Sequence, residues 1–256
     1  MRTFAISCLL AWLLSGCASQ SRPTEVDGMT PAQIDTQLGL AYLEAGDLKQ
    51  ALSTLKRALT ENPDDAQAQM SIAVLYQRLA EFDKASSHFQ RAVALAPNDS
   101  RTLNNYGLFL CAQGQRLRSE GYFERAAHNP LYPTPQVPLT NAGICAMQAH
   151  RQKRAEHYFL RALNRAPRFA PALLPMAQLK YGDGDYLAAR AYYQRYLAVA
   201  PPNAALLATA IRIERKLGNQ DAVASYTMLL KAKYPEAKAT RELFRREKNP
   251  TGSSPD

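Results

Sequence analysis

The chain has 256 residues, 46% hydrophobic and 21% charged, with 31 Lys and Arg against 22 Asp and Glu for a formal charge of +9. This composition excludes a low-complexity or disordered chain and leaves room for one sizeable folded body or a short repeat array. The positive balance could suit nucleic acid, anionic headgroups or an acidic partner. The bases are scattered, however: Arg57, Arg91, Arg125 and Arg161 each precede a recurring alanine and read as solvated outer faces, and the densest cluster, residues 241–248, contains two acids. Nucleic-acid binding is therefore not expected.

Residues 1–16 carry one base, Arg2, followed by an apolar run from Phe4 to Leu14. The run is too short to span a bilayer as a helix, which needs ~20 residues, and suits the core of a secretory signal peptide. It ends in Leu14, Ser15, Gly16 and Cys17, which resembles the lipobox of bacterial lipoproteins. Small residues give the peptidase access to the backbone, and the thiol is the lipid acceptor. That resemblance implies cleavage before Cys17 and triacylation of the new N-terminus, with several chains giving durable anchoring where one would be marginal. Ala18 follows where retention in the inner membrane would favour Asp, so the outer membrane is expected, with the remainder periplasmic. Residues 17–30 read as a lipidated flexible tether.

Beyond the tether, prolines recur with a fixed period. Pro63 and Pro97 are 34 residues apart, as are Pro167, Pro201 and Pro235, while Pro97 and Pro167 are separated by two periods plus two residues. Small and aromatic residues recur with them: Gly39 and Leu55, Ala73 and Phe89, Gly107 and Phe123, Gly143 and Phe159, Ala177 and Tyr193. This pattern resembles the tetratricopeptide (TPR) repeat, a helix–turn–helix of 34 residues. The resemblance implies an all-α, right-handed superhelix of about six units at 32–65, 66–99, 100–133, 136–169, 170–203 and 204–237, then a terminal helix, within a domain spanning 31–248. Gly or Ala in the first helix lets the second approach closely, and the aromatic fills the gap. Gly46, Gly114, Gly184 and Gly218 suit left-handed C-caps of first helices, and each closing proline stops a second helix. Asp64, Asp65, Asp183 and Asp185 lie near helix boundaries, where Asp caps helices. One unit cannot bury its own apolar face, so stability comes from stacking. Residues 249–256 read as a disordered tail.

The two extra residues fall in 128–138, where four prolines forbid a helix and make a stiff connector. It either bridges a reset stacking angle or offers a docking edge. With Cys8 removed and Cys17 lipidated, Cys111 and Cys145 remain as one pair in an oxidising compartment. They sit on first helices of adjacent units, which lie side by side, so a structural disulfide is expected; the alternative is two small buried hydrophobes.

No Ser-His-Asp arrangement, phosphate loop or HExxH motif is visible. His88, His128, His150 and His157 are spread over helix surfaces and a loop, with no metal spacing beside either cysteine. A non-enzymatic protein is expected, without metal or cofactor beyond the covalent lipid on Cys17. By resemblance to the repeat family, the second, fifth, ninth, twelfth and thirteenth places of each unit face the inside of the superhelix. Leu40, Leu43, Met70, Val74, Arg78, Asn104 and Leu108 are thereby candidates for a partner-binding groove, apolar with a polar margin, suited to an amphipathic helix or extended peptide.

One further resemblance is closer than fold class. Residues 103–114 (LNNYGLFLCAQG), 132–135 (YPTP) and 141–145 (NAGIC) resemble the PilF/PilW family of type IV pilus biogenesis lipoproteins, as do the lipobox and the six-unit length. Arg116, Leu117 and Arg118 depart from the family's more usual aromatic-containing turn, and Ser119 from a small alanine. The resemblance implies a pilotin: a lipoprotein, monomeric alone, that binds secretin subunits and supports their delivery to and multimerisation in the outer membrane. The rival expectation is an adaptor for peptidoglycan enzymes or outer-membrane assembly machinery.

Overall fold

The computed structural model describes residues 28–248; the expected signal peptide, Cys17, most of the tether and the tail lie outside the described residues. Thirteen helices are present among the described residues, twelve of them paired as antiparallel hairpins. The pairs are α1 (Pro31–Ala45) with α2 (Leu48–Glu61), α3 (Ala66–Arg78) with α4 (Phe82–Leu95), and α5 (Ser100–Ala112) with α6 (Arg116–His128). They continue as α7 (Gln136–Gln148) with α8 (Gln152–Arg165), α9 (Ala170–Gly182) with α10 (Tyr186–Leu197), and α11 (Ala204–Lys216) with α12 (Gln220–Lys233). The last helix, α13 (Lys238–Lys248), packs on α11.

The helix ends follow from local chemistry. Thr30 and Gln33 form a reciprocal capping box at α1, with Pro31 pre-setting the first turn. Asp65 accepts from the amides of Gln67 and Ala68, and Asp185 from that of Ala188; Asp64 instead pairs with Arg91. Gly46, Gly114, Gly184 and Gly218 all have φ between 71° and 81° just past a first helix. The same slot in the second and fourth hairpins is filled by Ala80 (φ 58°) and His150 (φ 54°), which hold a conformation costly for L-residues.

Within each hairpin the close approach depends on the absence of a side chain. A Cβ on Gly107 or Gly143 would sit 2.7 or 2.5 Å from the ring of Phe123 or Phe159, and one on Gly39 would meet Leu55 at 2.6 Å. The rings also join hairpins: Phe89 lies 5.5 Å from Tyr106 and 5.2 Å from Phe109, centre to centre. Along the row, α1 packs on α3, α3 on α5, α5 on α7 and α7 on α9, whereas each second helix packs chiefly on its own partner and the following first helix. Helices that touch along the row occupy its shorter arc, so the first helices line the inner face of a superhelix and the second helices form its back.

Of the arginines expected on solvated outer faces, Arg57, Arg91 and Arg125 are exposed and Arg161 is half-buried, and all four also hold partners. Arg57 pairs with Asp35 and Arg91 with Asp64, Arg161 forms a two-pronged bridge to Glu124, and Arg125 donates to the carbonyl of Pro97. Arg195, one period beyond Arg161, donates to that of Pro167. From Arg91 onward, each ties a second helix to the preceding hairpin or the junction behind it. His88 is likewise only half-exposed, stacked on Tyr76 and bonded to Gln69, and burial lowers its pKa below the ordinary imidazole value.

Candidate binding groove

The first helices present their inward residues according to the 100° step of the α-helix. Leu40, Met70 and Val74 are half-buried on this face, resting on the core of the first two hairpins with their outer surfaces accessible. Leu108, one hairpin further, is 41% exposed. Together they extend an apolar strip across α1, α3 and α5. Arg78 is exposed at its edge, its guanidinium donating to the Leu43 carbonyl at 2.6 Å.

Two of the expected groove residues are not available to a partner. Leu43 is only 2% exposed and belongs to the core with Leu55, Ile72 and Tyr76. It lies three residues beyond Leu40, which rotates it some 60° off the strip and into the seam with the next hairpin. Asn104 is 7% exposed, and its side-chain oxygen accepts from Asn141 at 2.8 Å; it joins α5 to α7. The neighbouring Asn105, which the repeat positions did not single out, is the more accessible amide and donates to the Met70 sulfur at 3.3 Å.

Beyond this strip the inner face changes character. Cys111 and Cys145 are bonded to each other across α5 and α7, with Cα atoms 6.0 Å apart. Behind them Glu120 of α6 accepts from Arg151, Arg154 and the hydroxyl of buried Tyr158. Burial pushes the Glu120 carboxyl up, but Tyr158 and the two arginines together outweigh it and hold the group below the usual carboxylate range. Glu124 is also lowered, chiefly by its bond to Arg161 and against the effect of burial. Among the described residues no cluster of His, Cys, Asp and Glu is placed to hold a metal ion, and no helix is long and apolar enough to cross a membrane.

Residues 42–104 match the tetratricopeptide repeat model. The chain is 33% identical over 249 residues to the type IV pilus assembly protein PilF of Pseudomonas aeruginosa, covering 95% of this chain and 98% of that protein. It belongs to the PilF/PilW family. The crystal structure of PilW, described as a widely conserved type IV pilus biogenesis factor, superposes with a TM-score of 0.75 at 32% identity, covering 83% of this chain and 98% of the other. That of the Pseudomonas aeruginosa PilF gives 0.73 at 31% identity, covering 85% and 97%. Members of the PilF/PilW family are TPR scaffolds rather than enzymes, and this chain is one of them. The departures at residues 116–119 fall on the outer helix α6, away from the strip.

Proposed function

We propose that this chain is a pilotin of the type IV pilus machinery: a lipoprotein, anchored through Cys17 to the periplasmic face of the outer membrane, that holds secretin subunits and promotes their multimerisation there. The kinship with PilF, which runs over nearly the whole chain, carries this reading. The strip of Leu40, Met70, Val74 and Leu108 is the surface best suited to the contact, because it is apolar, continuous and accessible on the inner face. An apolar face of a secretin segment laid along it would be held by burial, at about 25 cal/mol per Å2 removed from water, while Arg78 and Asn105 fix its orientation. The acyl chains give the membrane address and the groove gives the partner.

Leu40→Glu together with Met70→Glu changes only residues with accessible surface, so the circular dichroism of the folded chain should be retained while secretin capture is lost. Undiminished secretin multimers in cells carrying the double variant would reject the groove. Cys17→Ser should release the chain from the membrane fraction and leave secretin mislocalised; an unchanged distribution would reject the anchor. In the same reading, Cys111 and Cys145 are oxidised in the periplasm, and two free thiols titrated in unreduced, denatured protein would reject that.

A further inference from the structure

The back of the third and fourth hairpins differs from the rest of the surface in charge. Residues 100–169 hold ten Lys and Arg but only three Asp and Glu. All three acids are spoken for: Glu120 by Arg151 and Arg154, Glu124 by Arg161, and Glu156 by Lys180. Among the described residues no acid pairs with Arg116, Arg118, Lys153, Arg165 or Arg168, all of them exposed. The helices α6 and α8 lie side by side and parallel, since Glu120 reaches the start of α8 and Glu124 its later turns. Their outer faces, with Arg168 in the junction just past α8, therefore make one positive field, about 20 Å long for 13 residues at 1.5 Å each.

Apolar side chains stand out of this field where a soluble surface gains nothing from them. Leu117, between Arg116 and Arg118, is 76% exposed at the start of α6. Leu131, in the proline-bearing connector that follows the end of α6, is 89% exposed. Beside the connector lies an open depression of about 620 Å3, lined by His128, Tyr132, Arg161 and Arg165 among others.

We propose that this outer face, α6 and α8 with the connector, seats on the anionic headgroups of a lipid bilayer. Scattered guanidinium and ammonium groups meet lipid phosphates without a fixed register, and the two leucines, about a helix length apart, enter the boundary with the acyl chains. An acidic peptide fits less well, because Leu117 and Leu131 stand about a helix length apart. The face lies opposite the inner strip, so a bilayer and a partner segment can be held together. The inference rests on the anchor reading only in that the anchor would bring this face to a membrane.

The test uses the chain from residue 18 onward, which carries no lipid and retains every described residue. Its cosedimentation is measured with vesicles of phosphatidylethanolamine and phosphatidylglycerol and with vesicles of phosphatidylcholine alone. Binding is expected to the first only, weakening at high salt. Reversing three bases on the face (Arg118→Glu, Lys153→Glu, Arg168→Glu) should weaken binding by about tenfold or more, and Leu131→Ser by roughly threefold. Reversing three bases elsewhere (Lys49→Glu, Lys56→Glu, Lys233→Glu) changes net charge equally and should leave most of the binding. Absence of binding to phosphatidylglycerol vesicles, equal losses in the two triple variants, or retention on immobilised polyglutamate without vesicle binding would each overturn the proposal. The anchor is tested separately by the mass of the residue-17 peptide from the full chain in cells, so the failure of one is not mistaken for failure of the other.

Discussion

The first two hairpins and the next two are built on one repeat and stabilised differently. Residues 31–99 carry nine acids and six bases, and their hairpins meet through apolar packing, the Arg91–Asp64 pair, the Arg78 bond to the Leu43 carbonyl and the Thr36–Asp65 bond, with no covalent link. Residues 100–169 carry three acids and ten bases, and their hairpins are joined by the Cys111–Cys145 bond, by the Glu120 and Glu124 clusters, and by the Asn141–Asn104 bond. The two-residue insertion falls between these latter hairpins. A displaced repeat loses part of the stacking that neighbours normally supply, and the extra links lie where that loss falls. The first pair, without such links, carries most of the apolar inner strip, in Leu40, Met70 and Val74.

If that division of labour is right, the largest effect should come from the covalent link. Cys111→Ser with Cys145→Ser opens a loop of 34 residues, for which chain entropy gives about 3–4 kcal/mol. The urea midpoint of the variant and that of the reduced protein should fall together. Unfolding should begin in the third and fourth hairpins, read by hydrogen exchange, while the first two keep their protection. Uniform loss of protection along the array would mean that the link does not serve this junction in particular.

Next in size are the glycines at the hairpin cores. Gly143→Ala drives a Cβ into the ring of Phe159, which has no room to turn in a fully buried seam, and should cost about 2–3 kcal/mol. Gly39→Ala meets the end of Leu55, a side chain with other rotamers, and should cost roughly half as much. Equal losses in thermal or urea unfolding would show that both seams are equally rigid.

These glycines were legible in the sequence because the distance from Gly39, Gly107 or Gly143 to its packing partner is fixed by one hairpin's geometry. The six-unit fold follows from the same spacing. What the period could not show depends on the stacking between units. Leu43 occupies a repeat place that faces inward in the family, yet it lies some 60° around α1 from Leu40 and is covered by the next hairpin. The partners of Arg57, Arg91 and Arg161 were not legible, because they lie 22 to 37 residues away, on another helix or, for Asp64, in a junction. Nothing in the sequence singles out Glu120; only the fold sets it against Tyr158. Ala80 and His150 could have been found from the period alone, since each stands where other units carry glycine.

The carboxylate clusters are the intermediate case. Glu120→Gln leaves the hydroxyl of Tyr158 and two arginines without their charge partner, and should cost about 1–2 kcal/mol near neutral pH. Because Glu120 and Glu124 titrate below the ordinary carboxylate range, their contribution is present above that range and is lost as the pH falls through the lowered native values. The wild-type chain should therefore lose stability in acid more steeply than Glu120→Gln, and the two unfolding curves should converge at low pH. Parallel curves would place the acid sensitivity elsewhere, in the carboxylates of the first two hairpins.

The smallest effect is also the most even-handed test of the comparison, since it places one residue in each region. Ala80 and His150 hold the left-handed slot that glycine fills in the other four hairpins. An L-residue there costs about 1–2 kcal/mol, and glycine gives back about 0.5–1 kcal/mol through greater backbone freedom in the unfolded chain. Ala80→Gly and His150→Gly should each stabilise by about 0.5–1 kcal/mol, raising the urea midpoint without changing its slope. The strain is confined to a single φ, so the linked hairpins should gain no more than the unlinked ones, and the two gains should add. A gain at Ala80 without one at His150 would mean that the links around the fourth hairpin already hold its turn in place, and that the two regions differ in their turns as well as their seams.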